Sequence, residues 1–186
     1  HIPHAISKSG NTDHDTAQKK IGATSIHFDG TNDYLSIPEA DMFDLGTSTD
    51  FTIEFWFYCG SQGDTYPSIM GSGTASWSTH SNVVRIGPNG TLTKLEFYHY
   101  SGDGATPMLT SSTTVTDSAW HHGAIVRDGT GWELFLDGTS EDTYSGTNPS
   151  IDLSDNGYLY IGKNGWDGTG GDYNGYLDEF RISNIA

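Results

Sequence analysis

The sequence predicts an all-β domain, two antiparallel sheets stacked as a jelly-roll sandwich. Three observations carry this expectation. Short apolar stretches alternate with turn signals from Thr24 onward, which is the spacing of consecutive strands and hairpins. Asp-Gly-Thr starts at Asp29, Asp128, Asp137 and Asp167, and Asn-Gly at Asn89, Asn156, Asn164 and Asn174. Such pairs supply the positive φ angles that tight turns require. Finally, Phe51-Thr52-Ile53-Glu54-Phe55-Trp56-Phe57-Tyr58 is apolar at every odd position, so one whole face of that strand must meet a core.

Residues 1–22 are polar and read as an extended arm or a first edge strand; the sandwich itself is expected over 23–186. Ser25 to Leu35 reads as a strand or hairpin around the turn at Asp29-Gly30. Phe51–Tyr58 is expected to lie centrally, because burying each of its four odd side chains stabilises by about 1.5–3 kcal/mol. Its even face, Thr52, Glu54, Trp56 and Tyr58, is a mixed surface, decorated or half covered. Further strands are expected over Ser81–Gly87, Thr93–Tyr100, Trp120–Arg127, Trp132–Asp137, Gly157–Lys163 and Tyr173–Ser183, with a hairpin at Asp128-Gly129-Thr130-Gly131. No amphipathic helix or dividing linker is visible.

A length of 186 residues suits one β-domain. No apolar run approaches the roughly 18–20 residues that span a bilayer. Acidic residues outnumber basic ones 24 to 8, a net charge of −16, which repels phosphate backbones and anionic lipid. Nucleic-acid and membrane-insertion roles are therefore not expected, and anionic polysaccharides would need a bridging cation. Aspartate exceeds glutamate three to one, which fits turns, oxygen-ligand calcium sites or a solubilising surface. Cys59, the one cysteine, excludes an internal disulfide and reads as a small buried side chain.

Four segments occur in order: Phe28-Asp29-Gly30, Phe51–Trp56, Trp120–Gly138 (opening Trp120-His121-His122 and closing Leu136-Asp137-Gly138), and Gly175-Tyr176-Leu177-Asp178-Glu179-Phe180-Arg181-Ile182. Together they resemble the laminin-G-like, concanavalin A-like β-sandwich family, especially its pentraxin-related branch, from about residue 20 to the end. The style is also similar to domains of phage structural proteins. The resemblance specifies the fold and leaves the ligand open, since such sandwiches serve as lectins, adhesion modules, enzyme appendages and virion surface domains. A chain beginning at His1 and stopping at Ala186 is expected to be a piece of a larger extracellular or virion-surface protein.

The resemblance implies a structural calcium ion between first and last strands, with Asp29, Asn32 and Asp178 as matching ligands and Asp33 as a further candidate. If Phe180 and Ile182 point inward, alternation turns Asp178 inward too, and an inward carboxylate needs a cation or several donors. The alternative is that Asp178 accepts backbone N–H groups or pairs with Arg85, and that Asp29 caps a turn. Asp152-Leu153-Ser154-Asp155-Asn156-Gly157 opens like a calcium loop, but Lys163 stands where a bidentate acid is needed, so it reads as a turn. His121 and His122, adjacent in a strand, face opposite ways and cannot share a metal ion. Gly157–Lys163 matches a phosphate-loop spacing, yet it reads as a strand and Asn164 replaces the required Ser or Thr.

An enzyme is not expected, and a polysaccharide hydrolase or lyase is the third and last reading. The Glu-x-Asp-x-x-Glu pattern of related glucanases is absent, and Glu54 has no partner carboxylate in its strand. Binding is the positive reading. Sugars need an aromatic platform beside hydrogen-bonding groups, and the rim loops around Trp77-Ser78-Thr79-His80 and Trp166-Asp167 to Asp172-Tyr173 carry that mixture. Trp77, His80, Trp166, Asp167, Asp172 and Tyr173 are the candidate ligand contacts, although Trp77 and Trp166 would serve equally as plugs beneath loops. The expected function is thus a non-enzymatic recognition or adhesion domain for glycan or a cell-surface ligand. The alternative is a structural building block of a phage fibre, tail or capsid that contacts neighbouring subunits.

Overall fold

The computed structural model describes residues 5–63, 66–72, 81–86, 94–100, 108–115, 118–154, 157–165 and 171–186. Its strands are β1 Ser7–Ser9, β2 Asp13–Asp15, β3 Ser25–Asp29, β4 Tyr34–Pro38, β5 Asp44–Gly46, β6 Phe51–Cys59, β7 Ser68–Ser72 and β8 Ser81–Ile86. They continue as β9 Leu95–Tyr100, β10 Leu109–Thr110, β11 Trp120–Asp128, β12 Gly131–Leu136, β13 Thr139–Tyr144, β14 Ile151–Asp152, β15 Tyr158–Ile161 and β16 Asn174–Ser183, with a 3₁₀ turn at Asp41–Phe43. The first large sheet runs β1-β4-β15-β7-β8-β9-β10 and the second β13-β12-β11-β6-β16-β3-β2, while β14 and β5 form a short pair. The expected all-β sandwich is what forms.

β6 is the middle strand of the second sheet, between β11 and β16. Phe51, Ile53, Phe55, Phe57 and Cys59 are all fully buried, as their alternation requires. Opposite them the first sheet supplies Ile69, Met70, Leu95, Phe97 and Leu159 to the same core. The first and last strands of the family pattern lie side by side: β16 pairs with β3, Asn174 opposite Asp29 and Leu177 opposite Ile26. The Asp128–Gly131 hairpin forms with Gly129 at φ 57, and Asp137-Gly138 closes the β12–β13 hairpin with φ 53 and 77.

Several strands lie outside the sequence expectation. β13, Thr-Ser-Glu-Asp-Thr-Tyr, is polar throughout because it is an edge strand, and β7, Ser-Ile-Met-Gly-Ser, is buried at every position, so neither alternates. One expectation fails for a specific reason. The β16–β6 register shifts between Asp178 and Arg181, and Glu179 takes φ 49. This bulge spends one residue without reversing the strand. Leu177, not Asp178, therefore shares the inward side with Phe180 and Ile182, and Asp178 stands on the outer face, opposite Trp56.

The sandwich has two long sides. On one, β1 joins the first sheet and β2 the second, so residues 7–15 cross between them. Fully buried Asp33 fastens the crossing: one carboxylate oxygen accepts the Asn11 N–H at 2.6 Å, the other the Asp29 N–H at 2.9 Å. On the other side, Asp142 accepts the Thr110 N–H at 2.9 Å, and Glu141 takes the Ser112 hydroxyl together with the Thr113 N–H and hydroxyl. Those donors, the Ser112 hydroxyl foremost, hold the Glu141 carboxyl down to about 2. At one end of the core the fully buried Arg127 donates to the carbonyls of Thr49, Gly46 and Leu45 at 2.7–2.9 Å and lies over the Phe51 and Trp132 rings.

Candidate functional site

The even positions of β6 point away from the core, and strand pairing extends their face across the sheet. Trp120 of β11 lies opposite Tyr58, Tyr176 of β16 lies on its other flank, and His27 of β3 lies opposite Tyr176. The rings touch in sequence: Trp120–Tyr58 at 5.7 Å, Tyr58–Tyr176 at 5.8 Å and Tyr176–His27 at 4.6 Å between centroids. All four residues remain partly exposed. Because adjacent strands lie about 4.8 Å apart, this aromatic row spans roughly 14 Å across four strands. Burial, with Asp15 and Tyr58 nearby, raises the Tyr176 phenol, so near neutral pH it keeps its proton as a hydrogen-bond donor.

One step along the strands, Trp56 contacts His122 at 5.0 Å and carries the Lys20 ammonium 4.1 Å over its ring. Asp178 accepts the Lys20 and Ile21 N–H groups at 3.0 and 2.8 Å, pinning the β2–β3 loop across this end of the face. Beyond Trp56, Glu54 is held by the Arg181 guanidinium at 2.8 Å and approached by His122 at 3.5 Å. A carboxylate so engaged is a structural ion pair with its charge already answered. Trp120 Nε1 is buried without an acceptor among the described residues.

The expected calcium ligands are not brought together. Asp29 is exposed and its carboxylate accepts the Thr31 N–H at 2.8 Å. Asn32 takes φ 59 and donates its N–H to Asp172 at 2.8 Å. Asp178 lies four residues along β16 from Asn174, the residue opposite Asp29, which is about 13 Å at ~3.3 Å per residue. Asp178 answers backbone N–H groups and Asp29 caps a turn, the alternative weighed from the sequence. Asp29, Asn32 and Asp178 therefore do not fit one calcium ion. Among the described residues no group of three His, Cys, Asp or Glu side chains can hold a metal.

Of the rim-loop candidates, Trp77, His80, Trp166 and Asp167 lie outside the described residues. Asp172 anchors the Asn32 turn. Tyr173 is fully buried: its hydroxyl donates to the Tyr58 carbonyl at 3.0 Å and lies 3.7 Å from the Cys59 sulfur. Burial first, with Cys59 adding, pushes its phenol well up. It is a core plug and no ligand contact, a correction to the sequence expectation. Asp152 caps its own turn through the Ser154 N–H and hydroxyl. His121 bonds Asp137 at 2.8 Å and packs on Phe57, while His122 faces outward, as their adjacency demands. The sequence reading named Trp56 and Tyr58 as an outward surface but did not connect them to Trp120, Tyr176 and His27, because only the registers make the row.

Two seven-stranded antiparallel sheets, one of them holding the paired first and last strands of the pattern and presenting an aromatic outer face, define a lectin-like β-sandwich. Within that class the chain belongs to the laminin G family Laminin_G_3, the concanavalin A-like lectin/glucanases superfamily, whose model matches residues 29–186. Domain 4 of AbnA, an extracellular arabinanase from Geobacillus stearothermophilus in complex with arabinotriose, superposes with a TM-score of 0.68 at 18% identity, over 99% of this chain and 83% of that one. The binding domain of Paraclostridial Mosquitocidal Protein 1 gives 0.69 at 13%, over 98% and 44%. Mouse laminin α1 domains LG4-5 give 0.58 at 16%, over 87% and 41%. The chain thus spans less than half of the latter two structures. No curated protein matches the sequence significantly. No helix among the described residues is long and apolar enough to cross a membrane.

Proposed function

We propose that the chain is a non-enzymatic recognition domain of an extracellular or virion-surface protein, and that it binds glycan on the outer face of the second sheet. The observation that carries this reading is the Trp120–Tyr58–Tyr176–His27 row. Partly exposed aromatic rings stack against the apolar faces of sugars while flanking polar groups take their hydroxyls, and His122, beside Trp56, stands two residues along the strands from the row. The arabinotriose held by the structurally similar arabinanase domain and the binding role named for the mosquitocidal-protein domain are in keeping with it. The pairing of Glu54 with Arg181 supports binding over hydrolysis, since a catalytic carboxylate works with a second one nearby. With a net charge of −16, the favoured ligand is an uncharged glycan.

The row needs no metal, so affinity should persist in chelator. A glycan array followed by titration calorimetry of the strongest hit, with and without chelator, tests this. Binding lost in Trp120→Ala and Tyr176→Ala supports the face. Binding lost only on chelation would move the site to a calcium-dependent rim. No hit on the array together with ordered oligomers in light scattering would favour the building-block role instead.

A further inference from the structure

On the side crossed by the arm, the sheets do not close over their core. A hollow of about 680 Å³ opens above Phe28 and Leu177, walled by Ile26, Leu35 and Ile37. A second of about 210 Å³ continues it: Ile37 and Phe180 line both, and its far end reaches Met42 and Ile182. The trough falls in the size range of small-molecule sites, about 300–1,000 Å³. Its floor is tightly packed, with Phe28 and Leu177 at 0% and 3% exposure, whereas Ile6 and Met42, on its borders, are 61% and 62% exposed. Apolar groups left in water favour an occupant that covers them.

The charge around the trough is one-sided. Asp178 and Glu179 stand at the mouth with His14, and among the described residues no lysine or arginine lines either hollow. Asp178 is already engaged by backbone N–H groups. Glu179 is exposed and, among the described residues, has no hydrogen bond or ion pair; it sits on the bulge at φ 49. A glutamate in that backbone region is strained, and it places an unanswered carboxylate at the entrance of an apolar channel.

We infer that this trough binds a single-chain amphiphile with a cationic head group, its alkyl chain between the sheets and its head beside Glu179. Fatty acids and other anionic amphiphiles meet like charge there and bind more weakly.

Calorimetric titration of the whole chain with dodecyltrimethylammonium, below its micelle concentration and at physiological ionic strength, tests the inference. The expected result is one site, at least about tenfold tighter than for dodecyl sulfate, with tetramethylammonium silent. Ile37→Trp, which fills the trough, should weaken binding about tenfold or more. Ile6→Ser, at an exposed position, should weaken it severalfold without touching the core. Glu179→Gln should collapse the preference for the cation while keeping chain-length dependence. Equal affinity for the two surfactants, several equivalent sites, or unchanged binding in both Ile37→Trp and Ile6→Ser would overturn it. So would a concentration-dependent dimer abolished by Ile6→Ser, which would assign the trough to a second copy.

Discussion

The two outer faces use similar side chains to opposite ends. On the first sheet, Tyr34, Tyr158 and Tyr160 gather on two neighbouring strands, and Lys163 sets its ammonium 4.7 and 5.1 Å over two of the rings. That cluster is local and is satisfied by its own cation. On the second sheet the rings sit one per strand on β11, β6, β16 and β3, forming a row that Lys20 covers only at neighbouring Trp56. Aromatic content alone does not make a platform; its distribution over successive strands does.

The largest expected effect breaks the comparison directly. Trp120→Ala with Tyr176→Ala should lower glycan affinity about 100-fold, each ring contributing ~1.5 kcal/mol, while Tyr160→Ala stays within about twofold. Equal losses on both faces, by calorimetry, would show that the row is not the site. Asp178→Ala comes next. It leaves the Lys20 and Ile21 N–H groups without their acceptor and should cost about 1–3 kcal/mol in denaturant unfolding, with faster hydrogen exchange across the β2–β3 loop. Lys20→Ala against Lys163→Ala is subtler. Each removes a cation–π contact of about 0.5–1 kcal/mol, but only Lys20→Ala uncovers Trp56, so only it should tighten glycan binding, by a few fold.

The smallest effect lies away from both faces. Glu141 is depressed to about 2 from 4.5, so its stabilising contribution is fully present above about pH 4.5 and disappears as pH falls through 2. Because its side chain is exposed, solvent discounts the size. Wild type should lose slightly more stability than Glu141→Gln between pH 5 and 2, as thermal melts can read.

The fold was legible where one face of a strand is wholly buried: Phe51 to Cys59 declares its own orientation and its central place. It was illegible where burial erases alternation, as in β7, or where none exists, as in β13. The site was half legible. Trp56 and Tyr58 follow from the parity of β6, but their partners come from strands 60 to 120 residues away, and no local pattern encodes which strand lies beside which. Asp178 was misplaced because a bulge centred on a glutamate leaves no glycine or asparagine to announce it. Tyr173 was misplaced because a tyrosine next to a Gly-rich stretch reads the same whether it plugs the core or meets a ligand.

The outermost strands carry a further consequence. β1 and β2 have three residues each and β10 has two, with Lys8, Asp13 and Asp15 among them, and β13 displays Glu141 and Asp142. Strands so short or so charged give a foreign backbone little to zip against. Copies crowded together on one particle or filament would therefore resist aggregating through their margins and remain separate, each with its aromatic row open to solvent.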